Sequence, residues 1–332
     1  MSYPVFPASQ AVRRPDRPDV LGYLFNDGGL SNQKMALAGL LLTAAGKHLP
    51  VTLPYLHIKD HRGTADALAR FGDIYDLASL RGFTDRHGLR IDDGPPASDP
   101  GGWPYFFAFS QFLAIPSLPE VARMALDALS ALRPRMDARP ELSALKGFVL
   151  CTLGVRTVLQ LRIESDWPDY ASALQSAHGV SDDVGIDFPE ILRRVANTFP
   201  GLGMAYVTTD ESILPVGKDA IRAMALDRFG IRLIWKSDLI ALSGFNALDL
   251  SILDFELARD APRFIGQSFS SFANLACLEK FARQRRPVRG HFIYNHPGDT
   301  VRERLDNGLA SASPQVVTAN WTDGLWMSAN AA

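Results

Sequence analysis

The residues of this sequence that are best placed to do chemistry lie in three short segments. The first, residues 28–33, is a turn with two glycines between an apolar run and a strongly apolar helical stretch. Glycines let the backbone turn sharply, and the free N–H groups at a helix start favour an anion or a polar ligand group. The segment is therefore a candidate ligand-binding loop. An ordinary turn capped by Ser31 fits the same pattern.

The second segment, residues 158–167, places an arginine in an apolar strand and follows it with an acidic, aromatic loop. We expect Arg162 to point from the strand end into a crevice, where ligands bind in open α/β sheets. A guanidinium suits a diphosphate because its fork donates two hydrogen bonds and stays charged. A structural ion pair between Arg162 and Asp166 fits the spacing equally well.

The third segment, residues 254–272, contains a short strand that ends at Gly266 and two serines that begin a helix. Backbone N–H groups at a helix start bind anions, and the hydroxyls of Ser270 and Ser271 would add further donors. Ordinary capping of the helix by serine is the alternative interpretation.

The common motifs for metals and nucleotides do not occur in the sequence. There is no P-loop, no G-x-G-x-x-G after a strand, no H-E-x-x-H, no paired C-x-x-C and no Asp-x-Asp. Among the histidines only His57 and His61 lie four residues apart, and surface positions suit them better than a metal site. The sequence therefore predicts no metal site.

The elements that must position these segments alternate between strands and helices. The first half begins with a strand over 20–25, a helix over 31–46 and a strand over 49–54, which is the opening of an α/β domain. Residues 92–104 are predicted to form a loop, 118–132 a helix and 133–140 a linker, with the domain boundary near residue 145.

The second half repeats this alternation, which predicts a parallel sheet covered by helices. Its predicted strands are 155–163, 204–208, 231–235, 263–265 and 291–294. Its predicted helices are 189–198, 218–229, 247–259 and 271–283.

The composition excludes several classes of protein. With 34 Lys and Arg against 36 Asp and Glu, the net charge is −2, and no basic block supports a nucleic-acid partner. Cys151 and Cys277 lie in apolar runs, which predicts two buried thiols rather than a disulfide scaffold. We find no secretory signal, and the longest apolar stretch is about half of a transmembrane span. We expect a soluble cytoplasmic protein.

Taken in order, the three segments resemble the GDP-fucose protein O-fucosyltransferase family, and the likeness suggests a bacterial-type member. Residues 28–33 are similar to its G-R-F-G-N-Q loop, and residues 160–167 to its H-L-R-I-x-S-D-W strand. Residues 264–272, preceded by Asp254, are similar to its F-I-G-N-x-x-S-S-F segment. The resemblance covers most of residues 20–285.

The resemblance implies an α/β fold of the GT-B type, with two Rossmann-like domains facing a central cleft. Residues 1–145 would form the acceptor-side domain, and residues 146–332 would bind the GDP-sugar. The implied activity is inverting transfer of fucose from GDP-fucose to a hydroxyl of a protein or glycan acceptor, without a metal or other cofactor.

The resemblance also assigns roles to individual residues. Arg162 matches the arginine on the donor β-phosphate, and Asn32 matches an asparagine at the reaction centre. Ser270 and Ser271 would lie near the phosphates. Asp166, four residues after Arg162 at the exit of a strand, is the candidate catalytic base. A carboxylate that only caps the loop is the alternative for Asp166.

Asp254 and Phe272 match the pair that contacts guanine. One carboxylate can accept both the N1–H and the N2 amino group of guanine, and an aromatic ring can stack on the purine. Asp254 lies eighteen residues before Phe272, as in the family pattern. Without the resemblance, Asp254 would be an exposed residue on a helix with Asp249 and Arg259.

Two residues depart from the family pattern. Gly29 stands where an arginine is common, and Gln160 replaces the usual histidine. Gly28, Gly29 and Gln160 are still expected to contact the donor. Compared with the family, Gly29 brings no cation near the phosphates, and Gln160 changes one polar contact. A non-catalytic nucleotide-sugar-binding protein of the same fold is therefore the alternative function.

Overall fold

The computed structural model describes residues 6–7, 19–59, 67–96, 101–114, 119–169, 171–172, 182–284 and 288–304. The chain divides into two compact units. One unit consists of Met1–Ser143 and Phe245–Ile252, and the other of Ala144–Gly244 and Leu253–Ala332. The predicted boundary lies two residues beyond the first break, and the return of Phe245–Ile252 to the first unit was not predicted. The domain roles assigned to the two halves stay a prediction.

The first unit is built around one apolar helix. This helix, α1, spans Leu30–Lys47 and is buried along most of its length because its residues are mainly leucine and alanine. It packs against two later helices, α4 (Trp103–Ala114) and α5 (Pro119–Ala131). Gly39 is required in α1 because an added Cβ would lie 1.8 Å from the carbonyl oxygen of Tyr105.

The strands of the first unit form two small sheets. Strands β1 (Phe6–Pro7), β4 (Ala67–Ala69) and β3 (Leu56–Ile58) form an antiparallel sheet in that order. Strands β2 (Val51–Thr52) and β5 (Ile91–Asp92) pair in parallel. Helices α2 (Phe71–Ile74), α3 (Leu77–Arg86) and α6 (Pro140–Gly147) complete the described elements of this half of the chain.

Two sequence-based expectations for this half of the chain differ from the structure. The strand predicted over 20–25 is reduced to a single bridge between Leu21 and Val51, followed by one hydrogen bond from the N–H of Tyr55 to the carbonyl oxygen of Leu24. The loop predicted over 92–104 ends earlier than expected, because α4 begins at Trp103.

The second unit contains one six-stranded sheet in the order β11-β10-β9-β6-β7-β8, parallel except for the edge strand β11. The strands are β6 (Thr157–Gln160), β7 (Met204–Thr208), β8 (Arg232–Ile234), β9 (Arg263–Gly266), β10 (His291–Ile293) and β11 (Arg302–Glu303). The helices in this half of the chain are α7 (Phe188–Thr198), α8 (Lys218–Phe229), α9 (Ala247–Asp260) and α10 (Ser271–Gln284). The first residues of α9, 247–252, belong to the segment assigned to the first unit. The bounds of β7 to β10 and of the four helices agree closely with the prediction. Strand β6 is shorter than the predicted 155–163, so Arg162 lies beyond its end, and the antiparallel strand β11 was not predicted.

Local chemistry fixes the ends of these helices. Asp187 caps α7 by accepting a hydrogen bond from the N–H of Glu190. Gly230 ends α8 in the left-handed conformation, at φ 67°, and its N–H bonds the last carbonyls of the helix. The apolar faces of both helices, with Ile191, Leu192, Val195, Ile221 and Ala225, join the core against the sheet.

The two cysteines differ in their surroundings. Cys277 is buried as predicted, but Cys151 is exposed because it lies in a π-helical turn, Phe148–Thr152, of which only Val149 is buried. Among the described helices, none has the length and apolarity needed to cross a membrane.

Candidate functional site

The carboxyl end of the central strand β6 carries the arginine singled out from the sequence. All four residues of β6 are buried, and the chain leaves the sheet just before Arg162. The backbone N–H of Arg162 donates to the hydroxyl of Tyr294, which follows β10, at 3.3 Å. The exit of β6 is thereby fixed to the carboxyl end of β10, which lies on the other side of β9 in the sheet.

The guanidinium of Arg162 lies between two carboxylates of its own loop. Its Nη1 is 2.9 Å from Glu164 Oε2, and its Nη2 is 3.5 Å from Asp166 Oδ2. Its carbon lies 4.6 Å from the centre of the Trp167 ring, on which the cation packs. The ion pair with Asp166 considered from the sequence is present, but Glu164 is the nearer partner.

Glu164 was missed by sequence reasoning and is buried, whereas Asp166 is exposed. Glu164 Oε1 accepts hydrogen bonds from Thr209 Oγ1 at 3.0 Å and from the N–H of Asp210 at 3.3 Å, both after β7. Burial lowers the pKa of the Arg162 guanidinium, but Glu164 and Asp166 more than offset this and raise it. Arg162 is therefore a fixed, permanent cation.

The loop after β9 is tied to β6 by Gln160. Its Nε2 donates to Ser270 Oγ at 2.9 Å, and its Oε1 accepts from the N–H of Gln267 at 3.3 Å. Ser270 Oγ also accepts from the N–H of Ala273 at 3.4 Å, so Ser270 caps α10 as the alternative interpretation held. Ser271 is the first residue of α10 and is half-buried.

Asp254 lies on α9 with Asp249 and Arg259, and all three are buried, so the alternative interpretation of Asp254 as an exposed residue is wrong. Asp254 Oδ1 accepts from the Tyr206 hydroxyl at 2.9 Å, and Oδ2 accepts from Lys236 Nζ at 2.6 Å. Burial raises the pKa of Asp254, and the contacts with Lys236 and Tyr206 offset part of that rise.

Lys236 completes this buried network and was not predicted. It follows Trp235 at the end of β8, and its Nζ also donates to the carbonyl oxygen of Thr209 at 2.5 Å. Each oxygen of Asp254 thus has one partner among the described residues and keeps capacity for a second. The predicted contact of Asp254 with guanine stays a prediction.

Phe272 lies one residue into α10 and is half-buried. Its ring meets Phe255 edge-on, with centroids 5.4 Å apart, and lies 6.2 Å from the Phe264 ring. These two contacts fix the orientation of the Phe272 ring from the side of the core, as is needed if a planar ligand is to stack on it.

In the first unit, the turn before α1 is held by its own side chains. The N–H of Gly28 donates to Asn26 Oδ1, and Gln33 Nε2 donates to the carbonyl oxygens of Gly28 and His57, all at 2.9 Å. An added Cβ on Gly28 would lie 2.7 Å from the Cβ of Asn32, so only glycine fits there.

The start of α1 differs from the predicted serine cap. Gly29 is the N-cap residue, exposed and without a side-chain cap, and no acidic residue follows in the first turn. Ser31 lies buried inside that turn, while Asn32 is half-buried beside it. The turn has the open helix N-terminus expected of an anion-binding loop.

Metal-ligating side chains do not cluster in the described ranges, where no three His, Cys, Asp or Glu residues lie close enough to share an ion. His57 is buried on β3, so the surface position expected for it is wrong. His61 lies outside the described residues.

Comparison with solved structures identifies the fold. One crystal structure of POFUT1 in complex with GDP matches with a TM-score of 0.50 and 11% identity, covering 86% of this chain and 97% of that one. A second crystal form, also with GDP, matches with a TM-score of 0.52 and 11% identity, covering 82% and 98%. The chain has an α/β fold of the GT-B type.

At 11% sequence identity, the similarity to POFUT1 shows only that the two chains share a fold. No protein-family model matches the sequence, and no curated protein matches it. The predicted fold class is confirmed. The predicted site residues stay predictions, and of these the structure joins Gln160 to Ser270 and Arg162 to Asp166.

Proposed function

We propose that the protein is an inverting, metal-independent fucosyltransferase of the GDP-fucose protein O-fucosyltransferase family. It moves fucose from GDP-fucose to a hydroxyl of a protein or glycan acceptor. The observation that carries this proposal is Arg162, held as a cation at the carboxyl end of the central strand of a GT-B fold. POFUT1, whose crystals contain GDP, has the same fold.

The chemistry asked of Arg162 is stabilisation of the leaving group. When the bond between the sugar carbon and the β-phosphate oxygen breaks, the electron pair stays on the phosphate. A fixed guanidinium with the N–H groups at the start of α10 stabilises that charge in the transition state. The acceptor oxygen attacks the opposite face of the sugar, which inverts the configuration at that carbon.

The proton of the acceptor hydroxyl needs a base. Asp166 is exposed beside Arg162, with its Oδ2 at 3.5 Å from Nη2, and it carries this role in our proposal. In our proposal Asn32 acts at the reaction centre, which is the role that the resemblance implies for it. Asp254 and Phe272 would recognise guanine, the first through its carboxylate and the second by stacking.

A second candidate function is a nucleotide-sugar-binding protein without catalysis. It is favoured by Gln160, whose side chain is committed to Ser270 and Gln267, and by Gly29, which brings no cation to the turn. Assays of donor hydrolysis and of transfer to an acceptor panel separate the two. Micromolar GDP binding without turnover on any acceptor would favour the non-catalytic protein.

The decisive experiment is a donor screen. Thermal shift with GDP, ADP, UDP and their sugar conjugates identifies the ligand, because a ligand that binds only the folded state raises Tm. Release of GDP from GDP-fucose in the presence of acceptors then tests transfer. Stabilisation by UDP-sugars but not by GDP or GDP-fucose would contradict the proposal.

Removal of metal ions is expected to leave turnover unchanged. The proposed stabilisation of the leaving phosphate comes from Arg162 and backbone N–H groups rather than from an ion. Initial rates with and without excess EDTA measure this. Loss of activity on chelation and its recovery with Mn²⁺ or Mg²⁺ would contradict the metal-independent route.

Gly29→Arg is expected to fold as well as the wild type and to bind GDP several-fold more tightly. An added Cβ at Gly29 meets nothing within 4 Å, and the φ of −63° suits any residue. The new guanidinium would restore the cation that is common at this place in the family. Calorimetric titration with GDP at two salt concentrations measures the gain.

Gly46→Arg is the matched control for this change. Gly46 is also exposed and open, and it lies near the other end of α1, so the same charge is added away from the turn. Equal gains in GDP affinity in both variants would show a non-specific charge effect and contradict the role of position 29.

A further inference from the structure

The charge around Arg162 is the least expected feature of the site. One guanidinium faces two carboxylates, Glu164 at 2.9 Å and Asp166 at 3.5 Å, so the three side chains together carry a charge of −1. A site that must hold a diphosphate would be expected to carry positive charge. The positive charge of Arg162 is instead compensated before any ligand arrives.

The two carboxylates differ in their freedom to move. Asp166 is exposed, and its ion pair with Arg162 is long. Glu164 is buried and is anchored through Oε1 to Thr209 Oγ1 and to the N–H of Asp210. An incoming phosphate can therefore replace Asp166 at Nη2, whereas Glu164 stays at Nη1.

We propose that Glu164 is an affinity-setting residue that weakens the hold of Arg162 on phosphate groups. This inference rests on the proposed function and concerns the same site. Glu164 and a bound phosphate face different edges of one guanidinium, so each negative charge reduces the attraction available to the other. The guanidinium keeps its position because Glu164 is fixed to the loop after β7.

The functional consequence concerns the release of product. After transfer, the GDP left in the site carries more negative charge on its terminal phosphate than the donor did, and a fully exposed cation would retain it. Glu164 lowers that retention while Arg162 remains aligned for the next donor. In many enzymes release of product, rather than chemistry, limits turnover.

Glu164→Gln tests this inference because it removes the charge and nearly preserves the shape. The amide oxygen can still accept from Arg162, and the amide nitrogen can donate to the Thr209 hydroxyl. The N–H of Asp210 loses its 3.3 Å bond to Oε1 in this variant. We expect GDP to bind on the order of tenfold more tightly and to dissociate more slowly, with a smaller gain at high salt. Guanosine, which has no phosphate, should bind as it does to the wild type.

Asp219→Asn is the matched control. It removes one negative charge from a surface ion pair on α8, in which Asp219 Oδ1 lies 3.0 Å from Arg222 Nη1. GDP affinity should not change in this variant. Weaker or unchanged GDP binding by a folded Glu164→Gln protein would overturn the inference, since Glu164 would then serve only to position Arg162.

Two further experiments cover the cases in which the wild type does not bind GDP or the variant does not fold. If the wild type does not bind GDP, the proposed function fails, and inorganic pyrophosphate then serves as the probe. Tighter pyrophosphate binding by Glu164→Gln would support the inference alone, and equal or absent binding would overturn it. If Glu164→Gln does not fold, Glu164→Met replaces it, since methionine also removes the charge and has a similar side-chain length. The same gain in GDP affinity is expected of the folded methionine variant, and no gain would overturn the inference.

Discussion

Arg162→Ala is expected to slow fucosyl transfer by about 10²–10³, which corresponds to about 3–4 kcal/mol of lost transition-state stabilisation. The guanidinium lies at the carboxyl end of β6, and in the proposed reaction negative charge collects on the phosphate that it faces. Alanine leaves that charge to backbone N–H groups alone. The measurement is kcat/KM for GDP-fucose, followed by release of GDP with the best acceptor from the panel.

Arg162→Lys is expected to be nearly as slow, because an ammonium cannot bridge two oxygens as the planar fork does. This variant keeps a cation beside the buried Glu164, so a folding defect is less of a concern than in the alanine variant. Arg228→Ala, on the exposed side of α8, is the matched control and should keep full activity. Wild-type turnover by the lysine variant would contradict the role of Arg162 at the phosphate.

Much of the second unit could be predicted because its local signals agree with one another. The strand Met204–Thr208 and the helix Lys218–Phe229 have the predicted bounds. The strand is a short apolar run, and the helix ends at a glycine that adopts the left-handed conformation. Where the apolar pattern, the turn residues and the helix caps all agree, sequence alone is sufficient.

The helix α4 shows where such reasoning fails. Its sequence, Trp103–Ala114, is aromatic and apolar nearly all round, so it lacks the polar face by which an amphipathic helix is recognised. The loop before it is rich in glycine and proline, and it continues without a capping side chain into the helix, so the first residue of the helix cannot be recognised from the sequence. Packing against α1, which only tertiary structure reveals, accounts for this apolar composition.

The candidate site could be predicted only in part, for a related reason. Arg162 and Asp166 lie four residues apart on one segment, so their pairing could be foreseen from spacing. The partners of Asp254 come from two other places, Tyr206 on β7 and Lys236 after β8. No local pattern joins residues so far apart in the sequence, and their contact depends on how the strands are ordered in the sheet.

The buried network around Asp254 leads to the second large effect, on stability. Lys236→Met and Asp254→Asn, made singly, should each destabilise the fold by about 3–5 kcal/mol, because each leaves the charge of its partner buried without compensation. The double variant removes both charges and should be more stable than either single variant. Urea unfolding of the four proteins gives the coupling energy of the pair.

The double variant also tests whether Asp254 recognises guanine. A carboxylate can accept from both N1–H and N2–H of guanine, whereas adenine and uracil lack this pair of donors. Replacing the carboxylate by an amide should weaken GDP binding by about 1.5–3 kcal/mol, the scale of charge-assisted hydrogen bonds. ADP and UDP should bind as they do to the wild type, so the preference for GDP shrinks.

The two effects can be separated because stability and base preference are measured on the same folded double variant. If the double variant folds but no longer prefers GDP over ADP and UDP, the Asp254 carboxylate contacts the nucleotide as well as Lys236. If the double variant binds GDP, ADP and UDP as the wild type does, the guanine role is wrong. Asp254 then serves only to compensate the buried Lys236, with its Oδ2 at 2.6 Å from Nζ.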